Sequence, residues 1–61
     1  MTFKEFLLSR PLRDIAKLGG VSISAAGHWR SGRRQPSVQA ARKLAEAVPR
    51  LSLHAIRPDI W

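Results

Sequence analysis

Two adjacent glycines, Gly19 and Gly20, interrupt an otherwise helical stretch, residues 15–35 (IAKLGGVSISAAGHWRSGRRQ). A short apolar segment precedes the glycines, and Ser22, a favourable helix N-cap, follows them closely. A glycine readily takes the left-handed conformation that ends a helix. The pattern therefore predicts two helices joined by a tight turn, the second of which leads into clustered arginines.

Length and cysteine content restrict the class of protein. The chain has 61 residues and no cysteine, which predicts one domain with a small core, because a chain of this size buries only about 60% of its unfolded surface. Without cysteine there is neither a disulfide framework nor a thiolate metal site, and a reducing cytosolic setting is expected. No apolar run approaches the roughly 20 residues that span a membrane, and the start has no signal-peptide pattern.

Basic residues outnumber acidic ones, and the excess is greatest in the middle of the chain. Eleven Lys and Arg against four Asp and Glu give a formal net charge of +7. Residues 15–45 contain no carboxylate at all. A field of one sign favours a polyanionic partner. The alternative is a basic surface that serves only solubility.

Helical signals also fill the first part of the chain. Thr2 and Glu5 have the form of a capping box, which predicts a helix over residues 3–9. Pro11 fits the first turn of a second helix, where its missing N–H costs nothing, and Gly19-Gly20 ends that helix. The expected buried positions of the second helix are Leu12, Ile15, Ala16 and Leu18.

Serines mark the starts of the later helices. Ser22 is expected to cap a third helix that runs to about Ser31, and Ser37 to cap a fourth that Pro49 stops. Residues 52–56 favour a short helical turn, although LSLHAI could also alternate as a strand. The predicted fold is all-α, a compact bundle of four to five helices.

Residues 12–37 resemble the helix-turn-helix of the lambda Cro and repressor superfamily. Ala16 occupies the small position where the two helices touch, Gly20 is the turn glycine, and Val21 is the apolar residue after it. Trp29 lies where that family often buries a large residue. With its final residues, the whole chain resembles a small prophage-type Cro protein or a YdaS-like antitoxin.

The resemblance implies a lambda repressor-like DNA-binding domain. We expect residues 1–61 to form this single domain, with the helix-turn-helix at about 12–31 and a C-terminal tail at 50–61. The chain departs from the family pattern at Gly19, where a larger aliphatic residue is usual, and at Ala26, where a branched one is usual. Both departures predict a thinner contact between the two motif helices.

The family also implies which residues meet DNA. Its turn and the start of its recognition helix contact bases and phosphates, which carries over here to Ser22, Ile23, Ser24, Gly27, His28 and Ser31. Ser22 would hold a phosphate at the helix N-terminus, or act only as a cap. Ile23 would contact a thymine methyl, and His28 a base edge or a phosphate, unless His28 is an inert surface histidine. Gly27 would let the helix backbone approach DNA closely, although sequence drift explains this glycine equally well.

Three arginines complete the expected DNA-binding set: Arg30, Arg33 and Arg34. Arginines beside a recognition helix bind phosphates, and the bidentate fork can also bind guanine; a solvated loop is the alternative. Arg42 and Lys43 would contact DNA or face solvent, and Arg13 or Lys17 would touch the backbone where the second helix crosses it.

The two tryptophans have different expected roles. Trp29 falls on an apolar face and is expected in the core rather than as a stacking platform for bases. Trp61 would either close the core or take part in a dimer contact. The tail from Leu51 to Trp61 is the first candidate for a dimer surface, because paired copies match a two-fold operator.

No catalytic arrangement is recognisable. His28 and His54 are far apart in sequence, no carboxylates are closely paired, and no phosphate-binding glycine loop follows a strand. Nothing assembles a nucleophile, a base and an orienting group. We therefore expect no enzymatic activity, no metal and no cofactor.

The expected function is sequence-specific binding of double-stranded DNA in the cytoplasm, at the nucleoid. The chain would be a Cro-like repressor that occupies a palindromic operator as a homodimer. The alternative is a DNA-binding antitoxin with a toxin partner. A basic RNA-binding or membrane-surface protein is a further class. RNA-binding proteins generally display aromatics for base stacking, whereas Trp29 is expected in the core. A membrane-surface helix needs bulky apolar residues opposite its charges, whereas the third helix has mostly alanine and glycine there.

Overall fold

Five helices make up the regular structure of this protein, and the computed structural model describes all residues from Met1 to Trp61. They are α1 (Phe3–Ser9), α2 (Leu12–Gly19), α3 (Ile23–Ser31), α4 (Val38–Ala47) and α5 (Leu53–Ile56). The all-α prediction is confirmed. The LSLHAI segment forms a helical turn and not a strand. None of the five helices is long and apolar enough to cross a membrane.

Hydroxyl side chains begin four of the five helices. At α1 the capping box is complete: the Glu5 N–H donates to Thr2 Oγ1 at 3.1 Å, and the Thr2 N–H donates to Glu5 Oε1 at 2.9 Å. Serine side chains cap the other three in the same way, each accepting from the N–H three residues on: Ser22, Ser37 and Ser52. These caps satisfy donors that a helix start leaves unpaired.

Helix α2 begins differently. Pro11 is its N-cap, with an extended ψ of 150°, and the helix starts at Leu12. Pro11 therefore lies just outside the helix and not in its first turn as expected. Its ring still fixes a compatible φ of −61°, so the proline sets the direction in which the chain enters α2.

The turns after α2 and α3 depend on glycine. Gly20 and Gly32 have φ values of 69° and 79°, the only positive values in the chain. The Gly20 N–H donates to the carbonyls of Ala16 and Lys17, which closes α2. A side chain at either position would strain this left-handed backbone, so the predicted helix-breaking turn has a clear physical cause.

The core lies where α2 packs on α3 and α4, with α1 against α3 and α5 against α4. Phe6, Ile15 and Leu44 are fully buried in it, and Trp29 is only 7% exposed. Trp29 is thus a core residue, as predicted. The other members of this buried cluster are Leu7, Ala16, Ala26, Ala40, Ala41, Val48, Leu51 and Ile56.

The contact between α2 and α3 is not thin at Gly19. The Trp29 indole lies directly against this glycine and takes the room that a larger aliphatic residue would occupy. Ala26, the other departure from the family pattern, is completely buried. The expectation of a thin contact is therefore wrong at Gly19, because one large side chain on α3 compensates for the missing one on α2.

The C-terminal tail packs mainly on its own chain. Leu51 and Ile56 are buried in the core, and Trp61 is half-buried against it. Ile60 is the one strongly exposed large apolar residue in this segment, at 46%. Most of the apolar surface that we expected to form a dimer contact is therefore already used, because the small core needs it.

Candidate nucleic-acid interface

The outward face of α3 is polar and accessible. Ser24, His28 and Ser31 follow one another at i, i+4 and i+7, which places them on one side of the helix, and all three are exposed. Ala26 and Trp29 on the opposite side are buried. The helix therefore presents hydrogen-bonding groups to solvent along its length of about 13 Å.

Ile23 stands at the first position of α3 and is 56% exposed. A large apolar side chain that keeps more than half of its surface in water gains only part of the free energy of full burial. Its position beside the polar face gives α3 one apolar contact at its N-terminal end. This is the arrangement that the sequence predicted for contact with a thymine methyl.

An open groove runs between α3 and the loop that leads to α4. It brings together four of the sequence-predicted residues, Ser22, Ser24, His28 and Arg34. Its remaining lining residues are Val21, Ala25, Trp29, Gln35 and Ser37. Six of the nine lining residues are polar or charged, and Arg34 supplies a positive charge.

Two helix N-termini open on this groove. Ser22 caps α3 and Ser37 caps α4, and both serines line the groove. Neither helix has an acidic residue in its first turn, so nothing neutralises the positive ends of the two helix dipoles. Together with Arg34 they favour an anionic group such as a phosphate.

The basic side chains around the groove lack acidic partners. Arg33 and Arg34 are exposed, and the only ion pair in the structure joins Arg57 to Asp59, on the tail. The positive charge of the α3–α4 loop is therefore not compensated within the chain. A polyanion would find this charge available without breaking an existing ion pair.

Arg30 has a different environment from the other two arginines. Its Nε and Nη2 donate to the Leu7 carbonyl at 3.2 and 2.9 Å, and Nη2 also donates to the Arg10 carbonyl at 2.8 Å. These carbonyls lie at the C-terminal end of α1, where a helix leaves acceptors unpaired. The structure thus directs Arg30 toward α1, where it joins α1 to α3.

Two further predicted residues, Gly27 and Ser31, lie outside the groove. A Cβ atom built on Gly27 would lie 3.8 Å from Leu12 Cδ1, its one neighbour within 4 Å, so this side of the glycine points toward α2. The Ser31 hydroxyl donates to the His28 carbonyl at 3.2 Å. Ser31 is also at the far end of α3 from Ser22, outside the groove.

Sequence reasoning missed two of the polar residues that line the groove, Gln35 and Ser37. Ser37 was expected only as a cap. The segments SISA (22–25) and SVQA (37–40) share the order serine, β-branched residue, polar residue, alanine. This similarity was the available signal, because it marks two helices that begin in the same way.

Lys43 is a third residue whose position the sequence did not reveal. Its side chain crosses the α2–α3 turn, and its Nζ would lie 2.8 Å from a Cβ atom built on Gly20. The ammonium group therefore sits near the C-terminal end of α2, where a helix dipole favours a cation. Lys43 adds positive charge beside the turn that leads into α3.

A family comparison agrees with this geometry. A helix-turn-helix family model matches residues 4–54, which is most of the 61-residue chain. The chain belongs to the lambda repressor-like helix-turn-helix family. Its function is DNA binding of the transcription-regulator type. Searches of curated proteins and of solved structures returned no match.

Proposed function

We propose that this helix-turn-helix protein is a Cro-like transcriptional repressor that binds a palindromic DNA operator as a homodimer. The observation that carries the proposal is the exposed polar face of α3 beside a basic groove. A helix is the right size for the major groove, where each base pair presents a distinct pattern of donors and acceptors. Repression would be steric, because the occupied operator excludes polymerase, and it involves no catalytic step.

Sequence would be recognised from the N-terminal half of α3. Ser24 and His28 are exposed on the outward face and offer hydrogen bonds to base edges. Ile23, 56% exposed, offers apolar contact to a thymine methyl. We place Gly27 and Ser31 farther from the bases, because one faces α2 in part and the other lies at the end of the helix.

Phosphate contacts would fix the orientation of α3 without reading sequence. Ser22, Arg34 and Ser37 line the groove, and the neighbouring Arg33 is exposed. These four positions lie at the start of α3 and in the loop after it, so they would contact the DNA phosphate backbone on one side of the major groove. We leave Arg30 out of this set, because its hydrogen bonds are to carbonyls of the chain.

The small size of the site supports pairing of two copies. A single small helix-turn-helix contacts few base pairs, and a dimer on half-sites one helical turn apart doubles the contacts. A DNA-binding antitoxin would need a further surface for its toxin. A repressor dimer needs only one protein contact, and the tail, largely packed on its own core, leaves little apolar surface for a second, so we favour the repressor, bound to the nucleoid in the cytoplasm.

Selection of bound sequences from a random duplex pool tests the proposal. We expect an enriched palindrome whose half-sites are separated by about one helical turn of DNA, 10–10.5 base pairs. If the Lys and Arg side chains of each subunit neutralise about four phosphates, the slope of log affinity against log salt should be near −3.6 per subunit. A pool with no enriched sequence would contradict the proposal.

Substitutions separate base contacts from phosphate contacts. Arg33→Ala should weaken binding to operator and random duplexes equally and reduce the salt slope by about 0.9. Ile23→Ala and His28→Ala should instead change the preferred sequences. Arg50→Ala, which removes an exposed charge from the α4–α5 turn, is the matched control. Equal losses on both duplexes for all three site variants would contradict the assignment.

A further inference from the structure

The loop between α3 and α4 is anchored at its first end by α3 itself. The N–H groups of Arg33 and Arg34 donate to the His28 carbonyl at 2.9 and 3.3 Å. This closes the last turn of α3 after Gly32 and fixes where the loop begins. Arg33, Arg34 and Gln35 are the first three residues of the loop and are all exposed, and the next residue, Pro36, is buried.

The other end of the loop is held from the tail. Pro36 is fully buried, and its carbonyl accepts a hydrogen bond of 2.6 Å from Arg57 Nη1. A proline has no N–H of its own, so this carbonyl is its only backbone hydrogen-bonding group. Arg57 is separated from Pro36 by 21 positions in sequence, which makes the contact a tertiary one.

Asp59 fixes the orientation of the Arg57 side chain. Arg57 Nε and Nη2 donate to Asp59 Oδ1 and Oδ2 at 3.0 and 2.7 Å, a bidentate pair whose fork geometry is rigid. The tail turn is closed in addition by the Arg57 carbonyl, which accepts from the Ile60 and Trp61 N–H groups at 3.1 Å each. Arg57 thus reaches Pro36 from a turn that is itself well defined.

We propose that Arg57 is a positioning residue for DNA binding, which holds the loop of residues 33–36 in place through the Pro36 carbonyl. This inference rests on the proposed function, in which Arg33 and Arg34 bind phosphates. An exposed loop loses conformational entropy when it binds, and this cost falls when the loop is already held in its bound form. The tail therefore holds the loop in place and raises the affinity for DNA, although Arg57 contacts no phosphate itself.

Arg57 itself is not a phosphate ligand. Its side chain is only 18% exposed. All three guanidinium nitrogens already donate hydrogen bonds, Nε and Nη2 to Asp59 and Nη1 to the Pro36 carbonyl. The carboxylate of Asp59 also neutralises its charge locally. Removal of Arg57 should therefore change affinity without changing the number of phosphates that the protein neutralises, which distinguishes it from Arg33 and Arg34.

The first test measures affinity for a labelled random-sequence duplex by fluorescence anisotropy over a series of salt concentrations. Arg57→Lys keeps the charge but cannot bind Asp59 and Pro36 together, and we expect its dissociation constant to rise about fivefold with an unchanged salt slope. Arg50→Lys is the control and should remain within about twofold, as expected for surface changes. An unchanged affinity of Arg57→Lys would overturn the proposal.

The second test asks whether Arg57 acts through the loop arginines. In an Arg33→Ala, Arg34→Ala background, Arg57→Lys should cause no further loss of affinity, because the groups that it positions are gone. The same loss in both backgrounds would overturn the proposal. So would a salt slope that falls by about 0.9 in Arg57→Ala, which would make Arg57 a direct phosphate contact.

The third test needs no DNA, so it examines whether Arg57 holds the loop independently of whether the proposed function is right. Backbone order parameters from NMR should fall for residues 33–36 in Arg57→Lys and stay unchanged in α3. If the loop of Arg57→Lys were as rigid as in the wild-type protein, Arg57 would not hold it in place, whatever the protein binds. If the loop loosens but no duplex is bound by the wild-type protein, the proposed function fails and the positioning role with it.

Discussion

Gly19 and Trp29 fit together as a matched pair across the contact between α2 and α3. A Cβ atom built on Gly19 would lie 2.9 Å from Trp29 Cη2 and 3.2 Å from Cζ3, and real Cβ atoms do not approach carbon that closely. The indole therefore fills the volume that a side chain on α2 would need. The Trp29 ring also packs against Phe3 of α1, with ring centroids 6.3 Å apart, so the indole joins α3 to both α1 and α2.

Gly19→Ala should destabilise the protein by about 1–3 kcal/mol, because the added methyl group overpacks the core against Trp29. For a chain of this size, that lowers the melting temperature by roughly 4–8 °C per kcal/mol. Thermal unfolding followed by circular dichroism measures the loss. The double variant Gly19→Ala, Trp29→Leu should lose less than the sum of its two single variants. Full stability of Gly19→Ala would show that the indole moves aside without cost.

Gly27→Ala should stabilise the protein by about 0.5–1 kcal/mol. Gly27 lies inside α3, where glycine is less favourable than alanine, and the new methyl group would make an ordinary contact with Leu12 at 3.8 Å. The melting temperature checks this. Because the methyl group faces α2 in part, operator affinity should change by less than about twofold, within the usual range of neutral changes. A large loss of affinity would instead mean that DNA approaches the α3 backbone here.

Arg30→Ala should cost about 1–2 kcal/mol, because it leaves the carbonyls of Leu7 and Arg10 without their charged donor. Arg30→Lys should recover only part of this stability, since an ammonium group lacks the planar fork with which the guanidinium reaches both carbonyls. Urea unfolding gives the stabilities, and the salt slope on DNA should not change in either variant. A slope reduced by about 0.9 with full stability would make Arg30 a phosphate contact after all.

Acid should weaken the tail turn through Asp59. The hydrogen bonds from Arg57 lower the pKa of Asp59 below its ordinary value, so the pair stabilises the folded chain above that ordinary value and is lost as the pH falls through the lower, folded-state pKa. The Thr2 hydrogen bonds lower the pKa of Glu5 in the same sense. Urea midpoints measured from about pH 7 down to about pH 2 should therefore fall less steeply in Asp59→Asn than in the wild-type protein.

A matched control for the pH series is Asp14→Asn, which removes a carboxylate that has no ion-pair partner. This variant measures the effect of removing one surface carboxylate that forms no ion pair. If Asp59→Asn departed from the wild-type protein by no more than this control, the bidentate pair would contribute nothing to stability in solution, as is true of many exposed ion pairs.

The helix boundaries were predictable because their causes are local. A hydroxyl cap acts on an N–H three residues away, as at Ser22 and Ser37, and a left-handed glycine such as Gly20 ends a helix by its own backbone conformation. Such interactions are visible in a few consecutive residues. The outward position of His28 and the inward position of Trp29 followed from the helical period in the same way.

The roles of the arginines were not predictable, because they depend on contacts between distant parts of the chain. Arg30 and Arg34 look alike in the sequence, yet one binds carbonyls of α1 and the other lines an open groove. The sequence assigned no role to Arg57, and its partner Pro36 lies 21 positions earlier.

Short-range capping and periodicity thus set which segments are helical and which side of α3 is polar, and the amino-acid order alone contains both. Packing decided the rest. A side chain such as Arg30 or Trp29 finds its neighbours only when the helices meet, because those neighbours are brought close by the burial of a shared core and not by proximity along the chain.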